Sequence, residues 1–69
     1  MDNVQKRLEI EDKIKEVAQM IRAQAEVTAA SVRTSPEVLV KACAKLYRLA
    51  DDIRGLAASV EYLARVEKK

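Results

Sequence analysis

Carboxylates are the first residues in this chain that could do chemistry. Glu9, Asp12 and Glu16 recur at helical spacing, and Asp51 and Asp52 are adjacent. Paired carboxylates serve acid–base catalysis when their surroundings hold them in different protonation states. Here Lys13, Lys15 and Arg48 stand close by in sequence, so these acids read as a solvated ion-pair face. A di-iron bundle needs inward-facing Glu and a Glu-x-x-His motif. The chain has no His, and the only acids along its apolar lines are Glu11 and Glu67.

The other chemical candidates are equally bare. Cys43 has no His or helix N-terminus to activate its thiol, although Lys41 and Lys45 are near in sequence, so it reads as a small buried side chain. With one Cys and no His, neither an intrachain disulfide nor a zinc-ligand set is available. No Gly-rich phosphate loop and no Ser/His/Asp set occurs. Ser35-Pro36 has the form of a phosphosite, but a proline at the first position of a helix explains it fully. The expectation is no enzyme, no metal and no cofactor.

Any function must therefore lie in how the elements pack. In the second half, Leu39, Ala42, Leu46, Leu49, Ile53, Leu56, Val60 and Leu63 follow one another at steps of three and four. That period of about 3.5 residues is the seam of a helix packing on other helices, with the line taking heptad positions a and d. Position e holds only small residues, Cys43, Ala50, Ala57 and Ala64. In the first half, a and d hold Asn3, Arg7, Ile10, Ile14, Val17, Ile21, Gln24, Thr28 and Ser31. Position e holds Val4, Glu11, Ala18, Ala25 and Val32, while Met20 and Val27 fall at g.

Helix punctuation agrees with this division. Asp2 is a candidate cap for the first helix, with Gln5 as its capping-box partner. Nothing breaks the pattern until Ser31-Val-Arg-Thr-Ser-Pro36. Pro36 pushes Ser35 out of helical geometry and opens a second helix, with Ser35 as N-cap and Glu37 in the first turn. The expected elements are helices over about 3–32 and 36–67, with a loop at about 32–35. A loop that short turns the second helix back along the first. The fold class is thus all-α: an antiparallel helical hairpin that assembles into a coiled-coil-like bundle. Gly55 either interrupts the second helix or, since the line stays in phase from Ile53 to Leu63, sits within it and admits a close neighbour. Four acid-first pairs, Glu9–Lys13, Glu11–Lys15, Glu37–Lys41 and Glu61–Arg65, have the spacing of i,i+4 ion pairs.

With the loop centred near residue 35, Val17 faces Ile53, Ile14 faces Leu56, Ile10 faces Val60 and Ile21 faces Leu49. Nearer the loop, Gln24 falls opposite Leu46, and Thr28 opposite Ala42. Gln24 either bonds polar groups of a neighbouring subunit, lines a small wet cavity on a symmetry axis, or reaches solvent at the edge of the core. Val40, Cys43, Tyr47 and Ala50 form a further apolar line, which one hairpin cannot cover together with its core face. The expected oligomer interface is Met20, Gln24, Val27, Thr28, Val40, Cys43, Tyr47, Ala50, Ala57 and Ala64.

Size and charge limit the partners. The chain has 69 residues, enough for one small domain, and scaffolds of that size lean on disulfides, metals or self-association. Only the last is open here. Net charge is +2, from 13 basic and 11 acidic residues that are interspersed rather than blocked, unlike a nucleic-acid face. No apolar run approaches the ~18 residues of a membrane span. No signal peptide is apparent, and the single free thiol agrees with a reducing cytosol. The expected partner is a second copy of the chain, a dimer ahead of a trimer or larger ring.

The Ser35-Pro36-Glu37-Val38 opening, the alanines at 42, 44, 50, 57, 58 and 64, and the lack of His, Trp and Phe complete the pattern. With these features the chain resembles computationally designed helical hairpins and bundles, from which Cys43, Met20 and Gly55 depart. That resemblance implies a symmetric homo-oligomer made for assembly, with no natural activity. A natural dimeric hairpin similar in outline to the Rop family of RNA-binding plasmid regulators is the alternative. It would use Lys6, Lys13, Lys15 and Arg22, between which Glu9, Glu16 and Glu26 intervene. A small-molecule or pore-like site at the Gln24/Thr28 layer is a third reading.

Overall fold

The computed structural model describes residues 3–67. It holds two helices, α1 (Asn3–Ser31) and α2 (Pro36–Glu67), which pack against each other as an antiparallel hairpin. The expected cap at Asp2 lies outside the described residues.

Hydroxyls shape the turn. Near the C-terminus of α1, Ser31 Oγ donates to the Val27 carbonyl at 2.8 Å. Thr34 donates to the Ser31 carbonyl twice, through its backbone N–H at 3.0 Å and its hydroxyl at 2.6 Å. Carbonyls that a helix end leaves unpaired are commonly closed by a left-handed glycine. No described residue has positive φ, and Ser31 and Thr34 perform that task here. α2 begins as its sequence requires. Ser35 Oγ accepts from the Val38 N–H at 3.4 Å, and the Ser35 carbonyl takes the first helical bond from Leu39 at 3.1 Å.

The core follows the heptad pattern. Every a and d residue from Asn3 to Ser31, and every member of the Leu39–Leu63 line, is buried or half-buried. Among the other described residues only Ala18 and Cys43, both at e, share that shielding. Yet the only fully buried apolar side chains among the described residues are Val17 (9% exposed) and Ala42 (6%). The hairpin measures 52 × 16 × 14 Å, so each core side chain lies one layer from water. Its radius of gyration is 15.8 Å. A compact domain of this length would have about 11 Å.

Charges tie the rod together weakly. Glu11–Lys15 (3.2 Å) and Glu61–Arg65 form as the spacing predicts. Lys13 turns instead to Glu16 (3.9 Å), and Lys41 makes no ion pair with Glu37. Arg54 holds Asp51 at 3.0 Å. Between the helices, among the described residues, one ion pair forms: Arg7 Nε to Glu67 Oε2 at 3.2 Å, near the open end. The two atoms are close, but the shielded Nε–H is not aligned for a hydrogen bond. Exposed pairs of this kind stabilise by about 0–1 kcal/mol.

Gly55 does not break α2, which runs unbroken to Glu67. A Cβ placed on it meets nothing within 4 Å, so nothing in the hairpin itself calls for a glycine. Gly55→Ala is expected to stabilise the hairpin by about 1 kcal/mol, by removing a helix-interior glycine. Urea denaturation followed by helical circular dichroism measures this, and a lower midpoint would mean that Gly55 has a contact outside the hairpin.

Candidate functional site

The polar layer near the loop is closed by the hairpin's own groups. Gln24 Nε2 donates to the Ala42 carbonyl at 3.3 Å and to Thr28 Oγ1 at 3.4 Å. Thr28 Oγ1 lies 2.8 Å from the Gln24 carbonyl and 3.3 Å from that of Ala42. A hydroxyl has one proton. The shorter contact takes it, so the Gln24 amide serves Ala42. Ala42 has no long side chain to shield its carbonyl, and the second lone pair of a helical carbonyl accepts an extra donor. The layer therefore links α1 to α2 and fixes their register. Gln24 reaches this carbonyl rather than spanning outward, and it is half-buried rather than solvated.

On either side of the core line lie two different flanks. In an antiparallel pair, e positions of both helices share one side and g positions the other. The first flank carries Ala18, Ala25 and Val32 of α1 with Cys43, Ala50, Ala57 and Ala64 of α2. Val40 (65% exposed) and Tyr47 (72%) extend it. The second flank carries Lys13, Met20 and Val27 of α1 with Val38, Lys45, Asp52 and Ser59 of α2. Two grooves agree with that grouping. Near the loop, Val27, Val38, Lys41 and Lys45 surround a groove of about 220 Å³ floored by Gln24 and Ala42. Toward the open end, Lys13, Asp52, Gly55 and Ser59 surround one of about 510 Å³ floored by Val17 and Leu56.

The ten expected interface residues thus do not form one patch. Gln24 and Thr28 lie between the helices. Met20 and Val27 lie on the second flank. Val40, Cys43, Tyr47, Ala50, Ala57 and Ala64 lie on the first. Cys43 is half-buried, not buried. Lys41, Lys45 and Arg48 did not stand out as a group in the sequence, although steps of four and three place them on one stripe of α2. Among the described residues none of the three is in an ion pair, and no group of His, Cys, Asp or Glu could hold a metal ion. No described helix is long and apolar enough to cross a membrane.

No family model matches this chain, and neither a curated protein nor a solved structure matches it. What bears on function is therefore the geometry of these faces.

Gln24→Leu is expected to raise the melting temperature, by an amount equivalent to about 1 kcal/mol. Apolar packing of the new side chain on Leu46 outweighs two long, half-exposed hydrogen bonds. Gln24→Ala, which loses both the packing and the bonds, is expected to lower it. A large loss of stability in Gln24→Leu, read by thermal circular dichroism, would show that the amide is essential to the register.

Proposed function

We propose that the hairpin is a structural self-association module that works as a homo-oligomeric helical bundle, without chemistry of its own. The supporting observation is surface. The chain exposes 5662 Å² at a mass of 7.7 kDa. A compact protein of that mass exposes about 4300 Å². A stable interface covers about 800 Å² on each partner. One docked copy is enough to cover most of the excess, so a pair of hairpins forming a four-helix bundle is preferred to a trimer or ring.

The exposed residues agree. Val4, Leu8, Met20, Val27, Val32, Val38, Val40, Tyr47, Tyr62 and Val66 all keep substantial apolar area in water. Completing the burial of a large apolar side chain that is about half exposed stabilises by about 1 kcal/mol, so covering half of them on both copies is comparable with the cost of association. The compositional resemblance to designed bundles supports the same reading. An RNA-binding face on α1 gains nothing from the structure, because Lys13 and Lys15 are engaged with Glu16 and Glu11. A ligand site at Gln24 and Thr28 gains nothing either, since their donors are used within the hairpin.

Light scattering on a sizing column tests the proposal. At micromolar concentration the expected mass is about twice that of the chain. A monodisperse monomer that keeps full helicity would overturn it.

A further inference from the structure

We infer that two copies of the chain dock through their second flanks with their loops at opposite ends, so that the basic stripe of Lys41, Lys45 and Arg48 on one reaches Asp52 of the other. This rests on the self-association reading and adds which face is used and in which orientation.

Charge separates the two flanks. On the first, Lys15 is paired with Glu11 and Arg54 with Asp51 within their own helices, which leaves Arg22 as its one cation outside an ion pair among the described residues. That flank offers no run of unpaired charge by which a second copy could tell one direction from the other.

The second flank is polarised along the rod. Toward the loop are Lys41, Lys45 and Arg48, none of them ion-paired among the described residues. Below them stands Asp52, which lines one groove with Lys45 and Arg48 and the next with Lys13, Gly55 and Ser59. Asp52 also makes no ion pair among the described residues. Glu16 of α1 lies at nearly the same height. With loops at one end, Asp52 of each copy faces the Lys13–Glu16 pair of the other, and the basic stripe meets only Ala23, Val27 and Ala30. With loops at opposite ends, a two-fold axis crosses the rod near Met20. Met20 then meets Met20, and Arg48 of each copy meets Asp52 of the other, twice by symmetry. Val38 comes opposite Tyr62.

Oppositely charged variants test the orientation. Arg48→Glu alone and Asp52→Arg alone are each expected to weaken the dimer about tenfold or more, because each replaces two attractions by two repulsions. An equimolar mixture is expected to form a heterodimer about as tight as the wild-type dimer. In it the introduced glutamate of one chain meets the introduced arginine of the other, and the unaltered Asp52 meets the unaltered Arg48. Local helix effects of the substitutions are the same alone and mixed, so only a contact between chains produces this recovery. Sedimentation velocity with one variant fluorescently labelled reads it. A wild-type monomer would remove the self-association reading and this one together. A wild-type dimer whose two variants show no preference for each other would overturn the orientation alone.

Discussion

A single seam holds this structure, and a single seam between two helices cannot close a core. Side chains repeating every 3.5 residues point at one neighbour, yet a helix has a second neighbour's worth of surface beside that line. The consequence is visible in the burial. The Leu39–Leu63 line and its counterpart on α1 are shielded without gaps, but only Val17 and Ala42 are removed from water among the described apolar residues. Stability of a domain is the small remainder between burial and chain entropy. A rod 16 × 14 Å across buries too little to leave much remainder alone. Everything else in the molecule, its turn, its polar layer and its unequal flanks, acts on this thin contact.

The loop-proximal third shows how a polar layer can serve such a seam. Thr28, Ser31 and Ala42 are small, which lets the helices converge where a short turn must join them. Close approach brings the Ala42 carbonyl within reach of the Gln24 amide. Aliphatic layers farther from the loop tolerate sliding, since the hydrophobic effect has no direction. A hydrogen bond to one carbonyl does not. Slipping α2 by a turn would carry Ala42 about 5 Å away from its donor. The weak, half-exposed bonds of this layer thus matter more for register than for stability, and Ser31 and Thr34 complete the same region by closing the end of α1.

What the sequence made legible, and what it hid, follows from the same distinction. Helix boundaries near Ser31 and Pro36, the capping role of Ser35 and the whole a/d line are consequences of backbone geometry. Period and punctuation report that geometry directly. The facing of Thr28 and Ala42 also followed, because a short turn fixes the register. Harder to read were contacts that depend on where long side chains rest. Glu11 finds Lys15, but Lys13 prefers Glu16, at a difference of energy too small for spacing to reveal. The partner of Gln24 was open because its amide can reach a neighbouring subunit, solvent or the facing backbone with equal ease. The candidate interface merged two faces for a different reason. Apolar extras at g on α1 and at b and e on α2 look alike along a sequence, and only antiparallel pairing sends them to opposite sides.

Those two sides also divide the labour of recognition. Apolar area supplies affinity without choosing an orientation. Val27, Met20 and Val38 would be covered by almost any partner helix. Orientation needs a pattern that reads differently in the two directions, and charge supplies one. The first flank exposes as much apolar surface, at Val32, Val40 and Tyr47, but its cations Lys15 and Arg54 are paired within their own helices, so it carries no free run of charge to set a direction. The second flank changes sign along its length, basic at Lys41, Lys45 and Arg48 and acidic at Asp52. A surface of that kind is complementary to itself only after reversal, which a two-fold axis across the rod performs. The lone seam between α1 and α2 therefore leaves the choice of partner to apolar surface and the choice of direction to a few charges.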